Sequence, residues 1–172
     1  EEVSEKKMSL SQIADYIADS VEKRAAKGMN FGVAIIPEGV VEFVPEFSAL
    51  IQEINELLAG SKADAFNALA TWGEKYAFIE QGLTKESMGV FAILPENIQQ
   101  QLFLERDPHG NVQVSLIESE KLFSALVKDK LDERKKAGTY KGKFSPLHHF
   151  LGYEGRCAFP SNFDSDYCYS LG

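Results

Sequence analysis

The chain has 172 residues, 44% of them hydrophobic, and a formal net charge of −8. This is enough for one ordinary domain with a core of its own. So large an acidic excess argues against sequence-independent nucleic-acid binding, which needs a basic face.

No apolar stretch is long enough to span a membrane as a helix, and the first residues do not read as a signal peptide. The two cysteines, Cys157 and Cys168, form no dense framework, and two buried thiols in a reducing cytosol are expected. The opening Glu1-Glu2-Val3 and the closing Leu171-Gly172 do not read as natural termini, so a piece of a longer protein is expected.

Ser9-Leu10-Ser11-Gln12 is a capping box, with serine at the N-cap and glutamine three residues on. Leu10, Ile13, Ala14, Ile17 and Val21 follow at helical spacing, and Gly28 is a stop, which predicts a helix over about 9–27. Phe31 to Ile36 is apolar without alternation, the pattern of a strand buried on both faces of a parallel sheet. It ends in Pro37-Glu38-Gly39. A helix followed by a buried strand is half of a βαβ unit, so Glu38 at the strand's end is a candidate site residue. An ordinary exposed loop glutamate is the alternative.

Val40 to Val44 predicts a short extended piece stopped by Pro45. Phe47, Leu50, Ile51, Ile54, Leu57 and Leu58 form a helical stripe that ends at Gly60. Asp64 is a candidate cap for a helix carrying Phe66, Leu69, Ala70 and Trp72. Thr84 to Phe91 and Pro95 to Leu104 predict two short helices, the second with Pro95 in its first turn. The region from about 46 to 105 is thus a helical cluster with no strand signal.

Arg106 to Asn111 is dense in turn formers, and Val112 to Leu116 alternates like a short strand. Glu120 to Lys136 predicts a helix with Leu122, Phe123, Leu126, Val127 and Leu131 on one face and Gly138 beyond it. The charged run from Lys128 to Lys143 includes Asp129, Asp132 and Glu133, so it reads as a solvated helix face. Leu147 to Leu151 then predicts a second short buried strand.

That strand runs into Gly152-Tyr153-Glu154-Gly155-Arg156. Glycine lets backbone approach a ligand closely, and arginine offers a planar fork of donors that fits a phosphate. A polar turn with a surface arginine is the competing reading. Asp164 and Asp166 follow, as helix N-terminal residues or as acids of a site. His109, His148 and His149 match no zinc spacing, and neither a P-loop nor a nucleophile elbow occurs. In a parallel sheet the predicted strands deliver Glu38 and the Tyr153–Arg156 turn to the same edge. A carboxylate suits sugar hydroxyls, and tyrosine with arginine suits a phosphate, so a phosphorylated sugar fits the set.

At these residues the chain resembles the long type of diphosphate-dependent phosphofructokinase. The matches are Ile36-Pro37-Glu38-Gly39, then Arg106 to Ser115, then Gly152 to Arg156 with Pro160-Ser161-Asn162-Phe163-Asp164. They fall in the family's order and span nearly the whole chain.

The resemblance implies an α/β fold: part of a parallel-sheet substrate domain for fructose 6-phosphate, with a helical insertion at about 46–105 that shorter ATP-dependent relatives lack. It implies that Glu38 contacts fructose 6-phosphate, and that Tyr153, Glu154, Gly155 and Arg156 line the same substrate, the tyrosine and arginine facing its 6-phosphate. It also implies a cytoplasmic, homo-oligomeric full-length enzyme that uses diphosphate and Mg2+ in glycolysis.

The family's Gly-Gly-Asp diphosphate and magnesium motif is absent from this chain, as are its Thr-Ile-Asp-Asn-Asp catalytic loop and its Met-Gly-Arg substrate motif. The expectation is therefore a substrate-binding portion that is inactive alone, with Mg2+ bound elsewhere and no catalytic or metal residue here. The competing class is a helical interaction or regulatory module with no small-molecule site.

Overall fold

The computed structural model describes residues 5–37, 39–104, 106, 107, 109–147. The first helix, α1, spans Leu10–Ala26 and starts as its sequence predicts. Ser9 Oγ accepts from the Gln12 amide at 3.1 Å, and Gln12 Oε1 accepts from the Ser9 amide at 2.8 Å. Two of the amides that a helix N-terminus leaves without partners are thereby satisfied. Gly28, at φ +75°, takes the left-handed turn that ends the helix and that a side chain would resist.

Helix α2 spans Pro45–Leu57, with Pro45 in its first turn, where the missing N–H costs nothing. Its stripe buries Phe47, Leu50, Ile54 and Leu57. Four helices follow: α3 (Ser61–Asn67), α4 (Trp72–Gly82), α5 (Lys85–Ile93) and α6 (Glu96–Gln101). The last, α7, spans Ser119–Lys136. The closest pairings are α1 against α7 and α2 against α5.

One hydrophobic core joins all of these elements except the short α3's polar face, with Phe66 of α3 seated in it. An aromatic cluster holds α3 to α6. The Phe66 and Phe103 centroids lie 5.0 Å apart, Phe66 meets Phe78 edge-on at 5.7 Å, and Phe91 meets Phe103 edge-on at 6.0 Å. Gln99 is buried beside them and donates through Nε2 to the Phe91 and Leu94 carbonyls at 2.9 and 3.1 Å, satisfying carbonyls at the end of α5. Gln101 and Glu118 exchange hydrogen bonds, Nε2 to Oε2 at 2.6 Å and amide to Oε1 at 3.0 Å, which fastens α6 to the start of α7.

Glu53 of α2 caps α5 from outside. Its carboxylate accepts from the Thr84 amide and hydroxyl, both at 2.8 Å. Burial raises its pKa, but hydrogen bonds from the Thr84 backbone and the Ser87 and Thr84 side chains outweigh that and leave it below the ordinary value of 4.5. A carboxyl lowered in the folded state stabilises it above the unfolded pKa, and the contribution is lost as pH falls through the folded value. Acidification from about pH 6 to about pH 3 is therefore expected to lower the melting temperature of the chain more than that of Glu53→Gln, by thermal unfolding across that range. Equal losses would remove Glu53 from the acid response.

The predicted strands are where the structure departs most from the sequence reading. Among the described residues there is no strand, and the sole bridge joins Arg106 to Val112 in antiparallel sense. Residues 31–36 carry no ladder, and Phe31, Val33 and Ile35 are 76%, 92% and 76% exposed. A run apolar on both faces needs a strand on each side, and the described residues supply none. Val40–Phe43 is a 3-10 helix rather than an extended piece, entered through Gly39 at φ +73°.

The alternating stretch at 112–116 yields the single bridge and then a 3-10 helix at Val114–Leu116, because an isolated two-stranded pair has too little to hold it. The second predicted strand, Leu147 to Leu151, falls outside the described residues apart from Leu147, which is exposed. Asp64 is not an N-cap: α3 starts after Gly60 and carries Asp64 in its first turn. Trp72 opens a separate helix capped by Thr71, whose Thr71-x-x-Glu74 box is a readable signal that the periodicity argument passed over.

Candidate functional site

All the site residues named from sequence, Glu38, Tyr153, Glu154, Gly155 and Arg156, lie outside the described residues, as do Cys157, Cys168, His148 and His149. Their immediate surroundings in sequence are described in part. Upstream, α1 delivers the chain to the 31–37 run. Arg24 Nε donates to the Phe31 carbonyl at 2.9 Å, and its guanidinium lies 5.4 Å from the centre of the Phe31 ring. The run thus leaves α1 under the grip of one arginine, by a hydrogen bond and a cation–π contact together.

The chain then reverses: the Val40 amide donates to the Pro37 carbonyl at 3.2 Å, and the Glu42 amide to that of Gly39 at 2.9 Å. The left-handed backbone at Gly39 is what this reversal requires of glycine. Ile36 and Pro37 form one wall of an open hollow of about 300 Å³, faced by Leu116, Ile117, Ser119 and Glu120.

The second matched stretch, Arg106 to Ser115, is a structural clip. The Asp107 carboxylate accepts from the His109 and Asn111 amides at 2.9 and 2.8 Å, and the Asp107 amide donates to the Asn111 carbonyl at 2.9 Å. The hydrogen bond from the Asn111 backbone comes first, and with those from the Asn111 side chain and the His109 backbone it outweighs desolvation and holds Asp107 below the ordinary carboxylate value. Asn55 of α2 anchors the clip: its Oδ1 accepts from Arg106 Nη1 and from the Val112 amide, each at 2.8 Å. Arg106 is half-buried, with burial lowering its pKa against the attraction of Asp107, and its Nη2 is buried without a hydrogen-bond partner. His109 is exposed. The stretch is dense in polar groups because a tight turn must satisfy its own amides.

No group of three or more His, Cys, Asp or Glu among the described residues could hold a metal ion, and no described helix is long and apolar enough to cross a membrane.

No protein-family model matches the chain. Comparison with curated proteins finds relatives along its whole length. It is 52% identical to the pyrophosphate–fructose 6-phosphate 1-phosphotransferase of Entamoeba histolytica, 51% identical to subunit beta 1 of the Arabidopsis thaliana protein of that name, and 49% identical to the Treponema pallidum protein, each over 172 residues. The match takes in all of this chain but only 31%, 29% and 30% of those relatives. The chain is therefore related from end to end to a segment of the pyrophosphate–fructose 6-phosphate 1-phosphotransferases, a segment that amounts to under a third of their length.

Proposed function

We propose that this chain is part of the sugar-phosphate-binding portion of an enzyme that moves a phosphoryl group reversibly from diphosphate to fructose 6-phosphate, giving fructose 1,6-bisphosphate. The observation that carries the reading is identity of about half, without interruption, to relatives of that name. In the reaction the sugar's 1-hydroxyl oxygen bonds to a phosphorus of diphosphate, the bridging P–O bond breaks, inorganic phosphate leaves and the hydroxyl proton is released. Catalysis of such a transfer is chiefly positioning and charge stabilisation.

Within that scheme Glu38 accepts hydrogen bonds from sugar hydroxyls. Tyr153 and Arg156 bind the 6-phosphate, with Glu154 and the close-approaching Gly155 completing that wall. Mg2+, which would offset the diphosphate's charge, is assigned outside this chain.

The architecture that suits this role is α/β. The apolar runs at 31–36 and 147–151 enter a parallel sheet completed by the rest of the full-length protein, and residues 46–105 form a helical insertion. The full-length enzyme is read as a cytoplasmic homo-oligomer. A related potato protein, 40% identical over 175 positions, is named as a subunit alpha, so some relatives pair unlike chains.

The 172-residue chain assayed with fructose 6-phosphate, diphosphate and Mg2+ is expected to show no turnover above background, while the full-length protein turns over. Turnover by the short chain would overturn the assignment of the chemistry to other segments. An inactive full-length protein would favour a helical interaction module, a reading supported by helices being the regular elements among the described residues.

A further inference from the structure

We propose that the hollow between the start of α4 and the chain just after α6 is a binding site for a small aromatic anion, a flat ring carrying one carboxylate or phosphate group. It does not depend on the sugar-phosphate assignment made above. The hollow has a volume of about 200 Å³, room for one such ring and its charged group. Its apolar walls include Trp72, Phe103 and Leu104, and its polar lining comes from Thr71, Lys75 and Gln100. A few polar groups converging on an apolar concavity is the usual make-up of a small-molecule site.

The Trp72 and Phe103 ring centroids lie 6.2 Å apart with the planes at 61°, so the two rings form a corner rather than a closed stack. Phe103 is held in place by Phe66 at 5.0 Å and Phe91 at 6.0 Å, both of them buried, so the corner is set before any ligand arrives. Leu104 at the rim is 70% exposed, an apolar surface that these helices leave in water. A flat ring seated against these walls gains apolar burial and edge-to-face contact together.

Lys75 gives the hollow its preference for charge. It is half-buried, and its Nζ stands 5.2 Å from the centre of the Phe66 ring. Its neighbours on the same helix face, one turn either way, are Thr71, Trp72, Phe78 and Ile79, none of them acidic. Among the described residues Lys75 pairs with no carboxylate, in a chain whose net charge is −8. The other polar groups are engaged already. The Thr71 hydroxyl donates to Glu74 at 3.0 Å and accepts from the Glu74 amide at 3.3 Å, and Gln100 Nε2 donates to Glu96 at 3.0 Å. The Glu74 carboxylate is itself turned onto the Ala70 and Thr71 amides, at 3.1 and 2.9 Å. The Lys75 ammonium is thus the donor left to meet a ligand, and beside apolar walls its attraction for an anion is screened less than in open water.

The test follows benzoate binding to the full-length protein by saturation-transfer NMR, with benzamide and cyclohexanecarboxylate as comparisons. Benzoate is expected to bind with a Kd on the order of 1 mM, as suits a ligand of so few atoms. Benzamide keeps the flat ring without the charge, and cyclohexanecarboxylate keeps the charge without the flat ring; each should bind about threefold more weakly, or less well still. Lys75→Gln should raise the Kd for benzoate about three- to tenfold and leave that for benzamide within about twofold, while Lys75→Arg should keep the benzoate affinity within about twofold. Leu104→Glu changes an exposed position and puts a like charge at the rim. It should weaken benzoate more than benzamide, and it decides the matter if Lys75→Gln does not fold. Saturating fructose 6-phosphate should not displace benzoate; displacement would put benzoate in the substrate site and overturn the inference. Equal affinity for benzoate and benzamide, benzoate binding untouched by Lys75→Gln, or no binding at tens of millimolar would overturn it as well. Failure of the full-length protein to turn over fructose 6-phosphate would remove the proposed function and leave this site to its own measurement.

Discussion

Arg156→Ala in the full-length protein is expected to raise KM for fructose 6-phosphate by about 10- to 100-fold. A charge-assisted hydrogen bond to a phosphate contributes roughly 1.5–3 kcal/mol, and each factor of ten corresponds to about 1.4 kcal/mol. The assignment comes from Arg156 following two glycines and a tyrosine, in a stretch that lies within the aligned length of relatives named for this substrate. Arg156→Lys should recover only part of the affinity, because a point charge does not reproduce the two-pronged fork. KM for diphosphate should change little.

Glu38→Gln should weaken sugar binding too, but the loss should be the same for an unphosphorylated fructose analogue, whereas the loss from Arg156→Ala should depend on the phosphate. Steady-state kinetics with both sugars separates the two. An unchanged sugar-phosphate KM in Arg156→Ala, with weakened diphosphate binding, would move this end of the chain to the other substrate.

Phe91→Ala is expected to destabilise the 172-residue chain by about 3–5 kcal/mol, the range for removing a fully buried phenylalanine ring. Phe91 has no exposed surface and lies where two parts of the helical cluster meet. Its ring is 5.7 Å from that of Tyr76 on α4 and 6.0 Å from that of Phe103, just after α6. Its carbonyl is one of the two that buried Gln99 satisfies. The neighbours are themselves held by the Phe66 and Phe78 contacts, so the cavity should collapse only in part, which puts the cost above simple transfer. Denaturant unfolding followed by circular dichroism measures it. A loss below about 1 kcal/mol would mean that the site repacks freely and that the cluster is not the stabilising centre of these helices.

The helices were legible because what specifies them is local. The Ser9 and Gln12 box, the stripe from Phe47 to Leu57 and the stripe from Leu122 to Leu131 each occupy a few turns of one segment, and the observed helices start and stop within a few residues of the expected positions. The family resemblance was legible for a related reason: the Pro37-Glu38-Gly39 and Gly152 to Arg156 stretches and the clip at 106–115 are contiguous runs of residues.

The strands were not legible in the same way. An apolar run such as Phe31 to Ile36 records only that both its faces are to be buried; a ladder also needs neighbours, and among the described residues the run has none. Nor could spacing show that Asn55 holds the clip 51 positions downstream through Arg106, that Glu53 caps a helix 31 positions away, or that Arg134 closes on carboxylates more than 110 positions earlier. Each of these is a single polar group meeting a single partner across the fold. A lone asparagine, glutamate or arginine carries no periodicity, so only the packing of α1 on α7 and of α2 on α5 decides which of them meet.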